Sequence, residues 1–499
     1  MRLSSVALTV FAAAFGATPG SRLAAQERPL SFMDVQELRR AGSWAPSPDG
    51  AWMLYTVTNP DWETAESQTD IHLVSLSEGV ALERRLTFTD EKDETDPAWA
   101  RDGSFFVFSS DREGSGDEDG NDDQLYMMRH DGGEARRITD AADGVSGFAF
   151  GPGGRWLVYR SGKGGREQLY RLAAGDPVAG DAVQITAGDA GIGEWDFTPD
   201  GIRIYFTRPD SFDEDEEERR ERGFTADVRN AVTPLSSLWS VEVATGEERR
   251  ETDDPSYSVD GFTMSDDGRW IGFTGGSPER YERNITASGL YADLYLKEVA
   301  TGGIERLTDN RDVNESGLSF SPDGRWIAFS APDEMERYSM TENRVYIRNV
   351  ADRGGAFRKL GAGFDQSSSV GFWSDDSETI YFNAGVTVTT QLHALNVETG
   401  AVRQLTSDGR PSRSPGTRTR ARSSSATATP GPRPPSSPWR EWTTLPTARR
   451  GRSSWTSTRR YAGSPWERRS RSPGARRTGR RSEASSSTRS ATRRGGATR

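Results

Sequence analysis

Leu318-Ser319-Phe320-Ser321-Pro322-Asp323-Gly324-Arg325-Trp326-Ile327-Ala328-Phe329-Ser330 decides the fold of this chain. An apolar segment runs into Ser-Pro-Asp-Gly, and a second apolar segment leaves it. Each residue of the tetrapeptide suits a tight turn. Proline presets φ at the second position, aspartate bonds its own backbone, and glycine accepts positive φ. Aligned on the turn, the copies are Ser47-Pro48-Asp49-Gly50, Ala100-Arg101-Asp102-Gly103, Gly151-Pro152-Gly153-Gly154, Thr198-Pro199-Asp200-Gly201, Ser265-Asp266-Asp267-Gly268, Ser321-Pro322-Asp323-Gly324 and Ser374-Asp375-Asp376-Ser377. Successive copies lie 47 to 67 residues apart. The last ends in serine, which predicts a looser turn there.

A short apolar segment precedes each turn, as in Phe148-Ala149-Phe150, and an alternating one follows it, as in Phe105-Phe106-Val107-Phe108. A third segment comes next, such as Gln124-Leu125-Tyr126-Met127, and a fourth closes the unit, such as Arg136-Arg137-Ile138-Thr139. Four short strands per repeat of this length is the signature of a propeller blade. The expected fold is all-β: a seven-bladed β-propeller with four-stranded blades over residues 29–410. A β-sandwich of separate domains is the rival, and sandwiches do not repeat one turn sequence seven times.

Charge divides the chain. Residues 411–499 hold 22 Arg and no Lys against 3 Glu and no Asp, a balance of +19, whereas residues 1–410 carry −31. An acidic body argues against nucleic acid as a partner. There is no cysteine, which excludes disulfides, thiolate catalysis and cysteine-based zinc sites. The three histidines, His72, His130 and His393, are scattered singly and read as structural. No residue is assigned a catalytic, cofactor-binding or metal-ligating role, and no cofactor is expected.

The N-terminus reads as a cleavable secretory signal over residues 1–25. Arg2 supplies the positive charge, Val6 to Phe15 the apolar stretch, and Leu23-Ala24-Ala25 the small-residue site, with cleavage expected after Ala25. The apolar run is too short for a membrane span and no later segment could cross. The expected location is periplasmic or extracellular.

Two stretches interrupt the repeat. Pro209 to Val232 predicts a short exposed helix: Ser211-Phe212-Asp213-Glu214 fits a capping box, Asp215/Arg219, Glu216/Arg220 and Glu218/Arg222 are acid-before-base pairs four apart, and Gly223 is a stop. Loop Asp111 to Asp123 aligns with a calcium loop at Asp117, Asp119 and Gly120, but places Ser115 first and Tyr126 where a bidentate glutamate is needed, so an EF-type site is rejected.

Blades with Ser-Pro-Asp-Gly and a closing Arg-x-Leu-Thr resemble the propellers of two exported groups. One is the Tol–Pal propeller protein of the Gram-negative envelope. The other is the propeller of prolyl oligopeptidase-family serine peptidases, the acylaminoacyl- and dipeptidyl-peptidase branch. The second is favoured by Phe32-Met33-Asp34-Val35-Gln36-Glu37-Leu38-Arg39-Arg40 leading straight into Trp44-Ala45-Pro46-Ser47-Pro48-Asp49-Gly50, by blades that begin without a preceding α/β domain, and by the charged insertion in the middle blades. The resemblance covers residues 32–410. It implies a non-catalytic, substrate-gating propeller that admits short peptides to an α/β-hydrolase domain bearing Ser, Asp and His, the serine in G-x-S-x-G. The alternative is a non-enzymatic periplasmic propeller that binds an envelope protein.

No G-x-S-x-G occurs in this chain; Gly144-Val145-Ser146-Gly147-Phe148 fails at its last position. Beyond Arg410 there is neither histidine nor aspartate, so no triad can be built there and the chain as written is expected to be inactive. Residues 411–499 contain no Val, Ile, Phe, Met, Asn or Gln and one Leu, Leu445. Such a composition cannot pack a core and predicts disorder. It is the composition of GC-rich codons read out of register, so the expectation is a truncating reading-frame shift near codons 408–415. Reading the DNA in its other two frames from codon 405 should recover a hydrophobic-patterned chain, then G-x-S-x-G, Asp and His. Early stops in both frames would make the tail genuine.

Overall fold

The computed structural model describes residues 30–113, 123–177, 180–211, 218–219, 222–224, 234–276, 292–309, 315–334 and 340–407. The expected signal peptide and the stretch from 411 onward lie outside them. A five-residue helix, α1 (Phe32–Gln36), opens the described chain, capped by Ser31 and Asp34 in a reciprocal box. Strands β1 (Arg40–Pro46), β2 (Trp52–Asp61), β3 (Glu66–Ser75) and β4 (Gly79–Arg85) form one antiparallel sheet, and β5 (Glu94–Trp99), β6 (Phe106–Ser110), β7 (Gln124–Met128) and β8 (Arg136–Arg137) a second. Five more four-stranded sheets follow, over 145–184, 195–250, 258–306, 316–360 and 372–404. The fold is a seven-bladed β-propeller. In every sheet the strand order follows the chain, so no blade borrows a strand from another.

The turn residues explain why inner and second strands meet as they do. Ser321 Oγ donates to Asp323 Oδ1 at 2.6 Å and accepts from Trp326 N–H at 2.9 Å, while Asp323 Oδ1 accepts from Arg325 N–H at 3.0 Å. Thr198 with Asp200, and Ser265 with Asp267, repeat the clamp. The fourth residue takes φ 68° at Gly324 and 69° at Gly50 and Gly201. Successive turns also touch: a Cβ on Gly268 would lie 3.2 Å from Pro199 Cδ, and one on Gly201 3.3 Å from Gly153 N. The seventh turn is not looser, contrary to the expectation from its serine. Ser377 sits at φ 62°, its turn keeps the Ser374–Asp376 clamp at 2.5 Å, and its buried hydroxyl accepts from Asp323 N–H of the sixth turn at 3.1 Å. That inter-turn bond offsets the cost of the left-handed conformation.

The closing Thr has an equally specific task. The hydroxyls of Thr87, Thr139, Thr186, Thr252, Thr308 and Thr406 accept from the backbone N–H of Ile71, Leu125, Leu169, Leu238, Leu294 and Leu392, at 2.8–2.9 Å. The outer strands are short, so a side chain takes over where the backbone ladder stops.

Apolar packing joins each blade to the next. The residue three after the turn's fourth position, and the one five after, face the preceding blade. Phe106 and Phe108 pack with Leu54 and Ile71 of the first blade. Leu157 and Tyr159 pack on the second blade, Ile204 and Phe206 on the third, and Ile380 and Phe382 on the sixth.

Thr139 is 1% exposed and its hydroxyl also donates to Gln124 Oε1 at 2.8 Å. Thr139→Val leaves Leu125 N–H buried without an acceptor and should cost about 1–3 kcal/mol of stability by urea unfolding. Thr139→Ser should retain most of it. Equal stability of valine and wild type would refute the role.

Candidate functional site

Because strands alternate in direction, inner-to-second and third-to-outer turns lie on one face of the propeller. Second-to-third connections and the links between blades lie on the other. On the first face the inner-to-second turns are uniform and tight, while the third-to-outer connections range from 76–78 to 174–182. The second carries every long connection: 111–123, 210–235, 277–292 and 333–342. Loops held by a rigid scaffold are where binding residues concentrate, so this loop face is the candidate site.

The predicted helix is partly visible there. Arg222 N–H donates to Glu218 O at 3.1 Å and the Arg222 guanidinium meets Glu218 at 2.5 Å, one turn as expected of that i,i+4 pair. Phe212 to Glu216, all of the capping box but Ser211, lie outside the described residues, as do Ser115, Asp117, Asp119 and Gly120 of the rejected calcium loop. Tyr126 is a buried core residue of β7. The histidines occupy separate blades. His72 Nδ1 lies 3.5 Å from Glu83, His130 is packed near Trp52 and Trp99, and His393 Nδ1 bonds Gln391 O at 3.0 Å beneath Phe382. Ser146 is the second residue of an inner strand and accepts from Arg160 Nε at 2.9 Å. None of these is brought to another as a catalytic set.

Sequence reasoning missed the inner-strand bulge. Seven residues before the turn's fourth position stand Ser43, Asp96, Gly147, Gly261 and Gly317; the pairing with the second strand slips at each of them except Gly261, where it slips at the preceding Asp260. Ser43 and Asp96 adopt φ 47° and 51°, and Gly317 65°. Bulges re-aim side chains beside functional sites. Three glycines at one repeat position were the signal.

The second blade concentrates acid on the loop face. Asp93 Oδ1 accepts from Thr69 N–H at 2.7 Å, Asp111 Oδ1 accepts from Asp93 N–H at 3.0 Å, and Lys92 lies 3.6 Å from Asp111. Burial, then the charges of Asp111, Asp93 and Asp96, push the Asp123 carboxyl up from 3.8 to about 6. Glu94 is fully buried and meets Arg112 at 3.0 Å, and that guanidinium lies 4.7 Å from the centre of the Tyr126 ring. A cleft of about 310 Å³ between the first two blades is lined by Phe88, Arg112, Tyr126 and Met128 among others. The described residues include no cluster of metal-ligating side chains and no helix long and apolar enough to cross a membrane.

No family model matches the chain. Dipeptidyl-peptidase 5 of Porphyromonas gingivalis is 24% identical over 370 residues, 74% of this chain and 48% of that protein. Its counterpart in Porphyromonas endodontalis is 22% identical over 404 residues, 81% and 52% respectively. The chain is similar in sequence to these two dipeptidyl-peptidases. It spans about half the length of these curated relatives. The Tol-Pal system protein TolB of Francisella tularensis is 31% identical over 104 residues, 21% of this chain and 20% of that protein. The propeller domain of the Trilobed protease from Pyrococcus furiosus matches 74% of this chain and 97% of its own at 12% identity, with a TM-score of 0.43.

Asp123 generates a pH prediction. In the folded chain its carboxyl holds a proton at pH values where the unfolded chain has lost it. Its contribution to stability is therefore greatest in acid and falls as pH rises from 3.8 to about 6. Asp123→Asn should stabilise the protein at pH 7 by ~1–2 kcal/mol and flatten the pH dependence across that window. An unchanged unfolding profile would overturn the assignment.

Proposed function

We propose that residues 30–407 form the non-catalytic, substrate-gating propeller of an exported prolyl oligopeptidase-family serine peptidase. Peptide cleavage is assigned to an α/β-hydrolase domain rather than to the blades. The carrying observation is the extent of the match: 74% and 81% of this chain align with about half of each dipeptidyl-peptidase. A portion of that size corresponds to the propeller, and the other half of each relative is left for chemistry.

The geometry supports a gating role. A propeller with one tight face and one loop-rich face can pass a thin, extended peptide and reject a folded protein, because its entrance is fixed by packed strands. The bulges at Ser43, Asp96 and Gly317 present irregular backbone next to the loop face. The acid around Asp123 adds a negative field there, which favours cationic groups on an incoming peptide. A second reading, a propeller that binds a protein of the cell envelope, has the shorter match to the Tol-Pal system protein in its favour.

The purified chain should neither turn over chromogenic dipeptidyl substrates nor be labelled by a fluorophosphonate. Specific labelling of any of its serines would contradict this. The gating role is tested by fusing residues 30–407 to the unmatched half of the Porphyromonas gingivalis relative. The fusion should cleave dipeptidyl substrates and short peptides at least tenfold faster than a folded protein that displays the same sequence in an exposed segment. A fusion that takes up the fluorophosphonate but shows no size preference would favour the envelope-binding reading.

A further inference from the structure

The first blade carries an apolar prominence on the loop face. Its hairpin is long: β2 and β3 stay paired out to Asp61 and Glu66, whereas the pairing of β1 with β2 ends at Arg40 and Thr58. At the tip, Asp61 Oδ1 accepts from Glu63 N–H at 2.8 Å, and Ala65 takes φ 60°. Helix α1 meets this tip through Phe32, whose ring lies edge-on to Trp62 at 5.5 Å. Leu30 is 79% exposed, Phe32 65%, Val35 51%, Leu38 60% and Trp62 49%.

The helix has no stabilising reason of its own. Five residues are far short of the roughly 12–15 that a helix needs to persist alone in water. It is capped at its start by Ser31 and Asp34, yet buries none of its side chains. Phe32 and Val35 stand three apart, on one helix face, and both are exposed. A cluster of large apolar side chains left in water on an otherwise polar surface marks an interaction site.

The direction of the strands says what covers it. Strand β1 enters the first blade from the loop face, and the last strand, Val402–Gln404, ends on that same face. A domain joined after the last strand therefore stands on the side that bears α1 and Trp62. About half of each dipeptidyl-peptidase lies outside the match, enough for such a domain. A lipid surface and a second copy fit less well. Asp61, Glu63 and Glu66 are exposed round the tip, and residues 1–410 carry −31, which repels anionic lipid and a like-charged copy.

We propose, on the reading of residues 30–407 as a peptidase propeller, that α1 and the Trp62 hairpin tip are the dock for its catalytic half. The first blade then holds that half from one side while the last strand tethers it.

The gene product read on from codon 405 in the frame that restores G-x-S-x-G carries the catalytic half; the chain as it stands does not. Both are footprinted with hydroxyl radicals and mapped by mass spectrometry. Phe32 and Trp62 should react about fivefold less in the longer protein, because water is excluded from the core of an interface. Ile202, exposed in an inner-to-second turn, should react equally in both. Phe32→Ser/Trp62→Ser should leave the urea midpoint of the chain as it stands unchanged, since α1 buries nothing. In the longer protein it should speed proteolytic release of the catalytic half about tenfold, as an undocked population grows. Equal labelling of Trp62 in the two proteins would overturn the proposal. If that longer protein still takes up a fluorophosphonate, the dock alone falls and the peptidase reading stands. If no frame encodes such a serine, both fall. Flotation of the chain with phosphatidylcholine vesicles, lost in Trp62→Ser, would give the patch to a lipid surface. A concentration-dependent dimer lost in the same variant would give it to a second copy.

Discussion

The face-to-face contact between middle strands of successive blades is the constraint on which the rest of this structure depends. Each blade offers two large apolar residues backward and a smaller set forward, and neither face can be covered within the blade. A four-stranded sheet of this size is therefore not stable alone, and stacking supplies the missing partner. Everything else serves that contact. A Ser–Asp or Thr–Asp clamp holds five of the seven inner-to-second turns in one geometry, so that neighbours on either side meet in register. The threonine hydroxyl completes a backbone ladder that the short outer strand leaves unfinished.

Much of this could be read before the structure was known, because the turn tetrapeptide and the closing Arg-x-Leu-Thr are local. A turn needs particular residues at particular places, and those residues declare it wherever they occur. The exception is instructive. Serine at position 377 suggested a slack turn, yet it adopts the glycine-like conformation because a neighbouring turn donates a hydrogen bond to it. That partner is 54 residues away and leaves no trace in the local sequence. The candidate site was less legible still. Gly147, Gly261 and Gly317 repeat at one position, but Ser43 and Asp96 do the same work with side chains that give no hint of a bulge.

The two faces of the propeller divide labour. On the tight face, turns touch turns, and an insertion there would separate neighbouring blades. On the loop face, connections run from two residues at 387–388 to the long stretch at 210–235 without disturbing the strands that carry them. The longest connections are thus gathered on the side away from the packed inner-to-second turns.

The strict chain order of strands within every sheet has a consequence for how this protein is made. Each backbone ladder joins segments that are neighbours in sequence, so loop-closure costs are small and contacts are local. A blade is complete as soon as its own residues are available, and it need not wait for a strand from the far end of the chain. A polypeptide synthesised, or threaded through a narrow passage, from its N-terminus can assemble one blade at a time, each new sheet condensing on the last. The exposed apolar surface then never exceeds about one blade face at the growing end, which limits the window for aggregation that slower, long-range β-topologies suffer.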